Sequence, residues 1–175
     1  MANVDNPHGL NPLMKNNVGG CVRGRIIPKL VGESTAIFRN DAVAVTAEGG
    51  IEAGGTPGTT LWAGVSTNYG AASALTYHAV IEDPTALFEA QDDGDGSTFA
   101  NIADHNLNAN LIIGTGNTTT FISGNEIDIS TKATTSSLDM KLLKLLEVEN
   151  NNYGANARIV CMFNAHQKNP ATAGI

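Results

Sequence analysis

The chain is short of charge, short of aromatics and nearly without cysteine, and each shortage removes a class of protein. Charged residues fill 15% of the 175 positions and aromatics 5%. A helical bundle needs charged outer faces, so low charge with 19 glycines and abundant Asn, Thr and Ser favours many short strands joined by turns. The two cysteines, Cys21 and Cys161, are too few and too far apart for a disulfide framework. Both are expected to be reduced, with Cys161 a small buried hydrophobe. Basic residues are scarce too: 10 Lys and Arg against 17 Asp and Glu give a formal charge of -7. That balance argues against a nucleic-acid partner, because phosphate binding depends on clustered cations. Apolar residues reach 42%, but their runs stop far short of the roughly 20 residues that span a bilayer, so no membrane partner is expected. The opening Met1-Ala2-Asn3-Val4-Asp5 lacks the basic and apolar regions of a secretory signal, and synthesis in a cytoplasm is the expectation.

What is present fits one domain of ordinary size with loose ends. Residues 1–20 carry Pro7, Gly9, Pro12 and Gly19-Gly20, and their scattered Leu10, Leu13 and Met14 fit neither a helix nor a strand period. They are expected to form an extended arm that either wraps its own domain or docks on a neighbour. Residues 21–168 are expected to be the β domain and 169–175 a frayed tail. Val22 to Ile27 alternates around Arg23 and Arg25, solvated or ion-paired at an edge, and is expected to halt at Pro28. Ala36 to Phe38, Ala42 to Thr46 and Ile51 to Ala53 have the spacing of a meander, and Leu61 to Val65 around the single Trp62 is expected to be buried. The block from Tyr77 to Ile129 supplies middle strands, two of which meet at Asp83-Pro84. Ser97 is a candidate cap for a helical turn through Ala103. Leu138 to Val148 fits a helix or a strand with a bulge. The turn signal Asn150 to Gly154 and the β-rich Ala157 to Phe163 beyond it favour the bulged strand, paired with a central last strand.

No chemical constellation emerges. Asp92, Asp93 and Asp95 miss calcium-loop spacing, since Thr98 stands where glycine is needed, so they are expected to be a solvated turn with no metal. His8, His78, His105 and His166 are isolated and lack zinc-site spacing. Glu82, Asp83 and Glu89 offer paired carboxylates for glycoside hydrolysis, but turn and surface roles are the stronger expectation. Gly114-Thr115-Gly116 lacks the lysine of a phosphate loop, and no nucleophile elbow is present. The expectation is therefore a protein without catalytic residues or cofactors.

Four stretches carry a family likeness: Met1 to Leu10, the Asp83-Pro84 block ending Phe88-Glu89-Ala90-Gln91, the Gly114 to Thr119 turn, and Asn156 to His166. Together they resemble the capsid cement or head-decoration proteins of tailed bacteriophages. The resemblance implies a β-sandwich or jelly-roll-like barrel with an extended N-terminal arm. It also implies a homodimer or homotrimer on the outer surface of the virion, assembled in the host cytoplasm, that clamps major capsid subunits of the HK97-like fold. Under it, the candidates for capsid or inter-subunit contact are Pro7, Leu10, Pro12, Leu13 and Met14 of the arm. Two other functions stay open: a carbohydrate-binding or adhesion β-sandwich on a virion or cell surface, and a glycan-active enzyme using Glu82, Asp83 or Glu89.

Overall fold

The computed structural model describes residues 3–13, 24–95, 98–169 and 174. Their strands form two antiparallel sheets packed as a sandwich, as an all-β chain of short strands requires. The first sheet runs in the order β1 (Asn11–Leu13), β7 (Leu87–Gln91), β11 (Arg158–Phe163), β10 (Met140–Leu145), β8 (Asn108–Ile112), β9 (Glu126–Ala133). The second runs β2 (Gly24–Lys29), β6 (Thr76–Ile81), β5 (Gly64–Ser66), β3 (Ala42–Val45), β4 (Ile51–Ala53).

Alternation decides which residues enter the space between the sheets. Ile127 and Ile129 are buried there while Glu126 and Asp128 on the other face of β9 stay half-exposed. Ala42, Val65 and Ile81 enter from the second sheet and Phe88, Leu142, Ile159, Cys161 and Phe163 from the first. Trp62 is fully buried, stacked on Phe163 at 6.4 Å, and Phe163 in turn meets Phe88 edge-on at 5.6 Å. A second cluster, Ile27, Ile37, Val43, Ile51 and Val80, lies on the opposite face of the second sheet. Ile37 joins it from a loop held by the reciprocal Ile37–Gly70 backbone bonds of 2.9 and 2.8 Å.

Several local expectations are met. Leu138 to Val148 contains strand β10, paired with β11, and the register slips between Leu142 and Lys144. A bulge at that point lets both apolar phases of the segment find cover. β11 lies between β7 and β10, and its middle is buried on both faces. The strands that meet at Asp83-Pro84 belong to different sheets, so this turn carries the chain from one layer to the other. Asp83 shapes it by accepting from Thr85 N at 2.9 Å and Thr85 Oγ1 at 2.7 Å.

Others need correction. The first strand of the second sheet continues through Pro28 to Lys29, because β2 is an edge strand and a missing N–H costs nothing on the open side. Ala36 to Phe38 makes a bridge and no strand. Leu61 is exposed, unlike Trp62 to Val65. The helical turn, Ile102–Asp104, is capped by Asn101, whose side chain accepts from Ala103 N; Ser97 lies outside the described residues. Arg23 and Cys21 also lie outside them. Within residues 1–20, Asn11–Leu13 is a strand after all.

Asp139, just before β10, is the polar centre of this packing. Its buried carboxyl accepts from Gly58 N at 3.0 Å, Trp62 Nε1 at 2.9 Å and Leu111 N at 3.0 Å. Replacing Asp139 with alanine leaves those donors buried and unpaired and is expected to destabilise the fold by about 3 kcal/mol. Urea unfolding followed by Trp62 fluorescence measures this, and an unshifted midpoint would contradict it.

Candidate interaction surface

Residues 3–13 lie as a strap along one edge of the first sheet. β1 pairs with β7 through Asn11 opposite Glu89, Pro12 opposite Phe88 and Leu13 opposite Leu87. Upstream, Asn6 N donates to Gln91 Oε1 at 2.9 Å, and Gln91 Nε2 donates to Val4 O at 2.6 Å. Gly9 permits a tight crossing: its φ is +70°, and a Cβ there would lie 2.5 Å from Asn40 O. The crossing aims Leu10 into the core, with Leu10 N donating to Asn40 O at 2.9 Å and Asn40 Nδ2 to His8 O at 3.1 Å.

The strap is held from beneath by Glu89 of β7, buried yet ionic. His8 Nε2 lies 3.1 Å from its carboxylate, Asn11 Nδ2 donates at 3.2 Å, and Arg158 Nε of β11 donates to the same carboxylate. Burial opposes ionisation of Glu89, but the hydrogen bonds from His8 and Arg158 more than offset it and hold the carboxyl down at about 2. The same bond to Glu89 raises His8 above its ordinary value, with burial working against it. An open hollow of about 400 Å³ lies over this group, lined in part by Asn3, Asn6, Asn150 and Arg158. Glu126 stands near the same strap and is pushed up to about 7 by burial and by Asp5, Asp93 and Asp92.

The five predicted contact residues do not share one environment. Pro7 is exposed, and Pro12 and Leu13 are half-buried in β1. Leu10 is enclosed by its own domain, and Met14 lies outside the described residues. Of the carboxylates expected at the surface, Asp83 and Asp95 stay in turns there, but Glu82, Glu89 and Asp92 are buried. Glu82 is buried and takes Arg25 Nη2 and Lys168 Nζ, each at 2.8 Å. Asp92 is buried and accepts from Gly94 N at 3.1 Å and Phe99 N at 3.3 Å, which organises the turn from within. Among the described residues no group of three His, Cys, Asp or Glu is placed to hold a metal ion. His78 is enclosed between Ser66 Oγ at 2.8 Å and Thr76 Oγ1 at 2.9 Å, and burial lowers its pKa. Cys161 is buried, and burial raises its thiol pKa.

One surface escapes the sequence reading. On β6, Tyr77 and Ala79 share the phase of Ile81, which is in the core, and across the ladder Pro28 and Ile26 face them. This strip has the phase of a buried face, yet Ile26 is 64% exposed and Tyr77 62%. The inward face of the second sheet therefore extends as an apolar ledge beyond the cover of the described residues. The clue in the sequence is the alternation of Leu75, Tyr77, Ala79 and Ile81, a pattern that ordinarily predicts burial. Among the described residues no helix is long and apolar enough to cross a membrane. No protein-family model, curated protein or solved structure matches the chain.

The ion group sets a pH window. Glu89, with its pKa lowered, contributes stability that is present above the ordinary carboxylate value of about 4.3 and is lost as pH falls toward its folded pKa. His8, with its pKa raised, contributes stability that is present below about 6.5 and is lost as pH rises through its folded pKa. The stability gap between the wild-type chain and Glu89→Gln is thus expected to be widest between about pH 4.5 and 6.5 and to narrow on both sides. Urea midpoints measured across pH test this, and a gap independent of pH would refute it. Leu10→Ala is expected to cost about 3 kcal/mol in the isolated chain, as for a core leucine; a loss below about 0.5 kcal/mol would mean the strap is not part of the core.

Proposed function

We propose that the chain is a non-enzymatic capsid cement protein of a tailed bacteriophage, bound to the outside of the head and bridging neighbouring major capsid subunits of the HK97-like fold. The observation that carries this reading is the apolar ledge of exposed Ile26 and Tyr77 with half-buried Pro28 and Ala79, a strip with the phase of a buried face on a two-sheet scaffold. A cement stabilises a shell by burying area across subunit joints, and a ledge fixed on strands offers that area with little ordering cost. Many copies acting together on one head multiply a modest contact. The net charge of -7 suits an outer surface away from packaged DNA. Self-association as a dimer or trimer completes the reading. The sequence likeness at both ends and in the middle of the chain supports the same class.

The strap has a different role in this proposal from the one its sequence invites. Leu10 and the Glu89 ion group bind it to its own domain, so the bridging contact is assigned to the ledge and to the exposed start of the strap around Pro7.

Co-sedimentation with cognate heads stripped of decoration protein tests this. The wild-type chain should bind saturably, and Ile26→Ser with Tyr77→Ser should weaken binding at least about tenfold. Both side chains are exposed, so the urea midpoint should stay close to that of the wild type. A wild-type chain that does not sediment with heads, or a double variant that binds equally well, would sink the proposal.

A further inference from the structure

A chain with 5% aromatics nevertheless brings three of them together, Phe38 and Phe121 each meeting Tyr69, from segments far apart in sequence. The Phe38 and Tyr69 ring centroids are 5.4 Å apart, and those of Tyr69 and Phe121 are 4.5 Å apart. Tyr69 remains 37% exposed and Phe121 44%. Phe121 also has a φ of +57°, a region that bulky side chains avoid. Its backbone is pinned there from both sides: Phe121 N donates to Asn117 O at 2.7 Å, and Phe121 O accepts from Arg39 N at 3.0 Å. Asn117 Oδ1 fixes the turn below by accepting from Thr119 N at 2.8 Å and Thr120 N at 3.0 Å. The fold thus holds a strained backbone that keeps a large apolar ring half in solvent, and the exposed part of that ring adds nothing to folding.

Phe38 is also one wall of a cavity of about 420 Å³, a size that takes small ligands. Gly116 lies so close over the Phe38 ring that a Cβ there would meet it at 2.2 Å. The hydroxyl-bearing residues Ser34, Thr35 and Thr115 are among those that line the cavity, together with the buried Asp41. Asp41 is engaged by Phe38 N at 2.6 Å and by Ser123, and burial pushes it up to about 6. Among the described residues no Lys, Arg or His lines the cavity, so no cationic side chain there favours an anion.

We propose that the Phe38–Tyr69–Phe121 cluster and the cavity beside it form a binding site for a neutral oligosaccharide. A pyranose ring has an apolar C–H face and a polar edge. The aromatic faces, with their negative quadrupole, stack on the first, and hydroxyl and carboxyl oxygens bond the second. A cage for a quaternary ammonium ion requires rings around an open centre. Here the rings pack on one another, which favours the sugar. The site shares no residue with the ledge, and the proposal stands apart from the capsid role.

The test is a titration of the full chain with maltotriose, chitotriose and lactose, each to about 20 mM, well above the Kd of about 1 mM of a weak site. Aromatic ¹H–¹³C spectra are the readout. At least one sugar should shift the Tyr69 and Phe121 ring signals. Phe121→Gly should weaken that binding at least about tenfold. Its melting temperature should not fall far, because glycine accepts the backbone conformation without strain. Thr115→Val, which removes the hydroxyl of a lining residue and leaves the aromatics alone, should weaken binding as well. The proposal is overturned by silence with all three sugars, by shifts confined to other residues, by undiminished binding in both variants, or by tetramethylammonium binding the cluster where the sugars do not.

Discussion

The buried carboxyl of Asp139 is the contact on which the two layers depend. Through Gly58 N and Trp62 Nε1 it holds the segment leading into β5 of the second sheet, and through Leu111 N it holds β8 of the first. Its backbone oxygen accepts from Asn164 N at 2.8 Å and Ala165 N at 3.1 Å, which turns the chain just after β11. Burial raises the Asp139 pKa against these bonds, so the residue is costly to enclose and tolerable only with its partners in place. Trp62 follows from it: the indole fills the core beside Phe163 because its N–H has an acceptor there.

The same logic of a buried charge made acceptable by its partners governs the edges. An open sheet edge invites unwanted pairing. The first sheet is closed on one side by the strap, whose short strand pairs with β7 and whose His8 and Asn11 meet Glu89 from above while Arg158 meets it from below. On the second sheet, β2 presents Pro28 at its open edge, which removes one donor, and Arg25 and Lys168 converge on Glu82 to bind β2 and the chain after β11 to the end of β6. Edges treated this way discourage strand addition. The ledge and the aromatic cluster are side-chain faces, and they differ in chemistry. The ledge is an apolar strip that suits a protein surface, while the cluster combines ring faces with hydroxyls that suit a sugar.

Rigidity is distributed to match. The ledge is carried on two strands paired residue for residue from Gly24 to Lys29. The aromatic cluster is carried on loops, but these are bound to one another by Arg39 N to Phe121 O, Ser123 N to Arg39 O and the Asn117–Ile122 bridge. Under the two proposals these positions are ordered before a partner arrives, which would lower the entropic cost of binding.

Alternation and turn chemistry are local, so the sequence by itself determined what rests on them. The all-β class, the bulged β10 hairpin, the central β11, the turn at Asp83-Pro84 and the burial of Trp62 follow from neighbours within a few residues. The fate of each charge did not, because burial of a carboxylate depends on donors that arrive from elsewhere. Glu89 meets Asn11 across 78 positions and Arg158 across 69, and Asp139 meets Trp62 across 77. The exposure of Tyr77 and Ile26 depends in turn on where the opposing layer ends, and the meeting of Phe38, Tyr69 and Phe121 on how separate loops fold over one another. Periodicity says which residues share a face; only the packed tertiary structure decides which faces are covered, and by what.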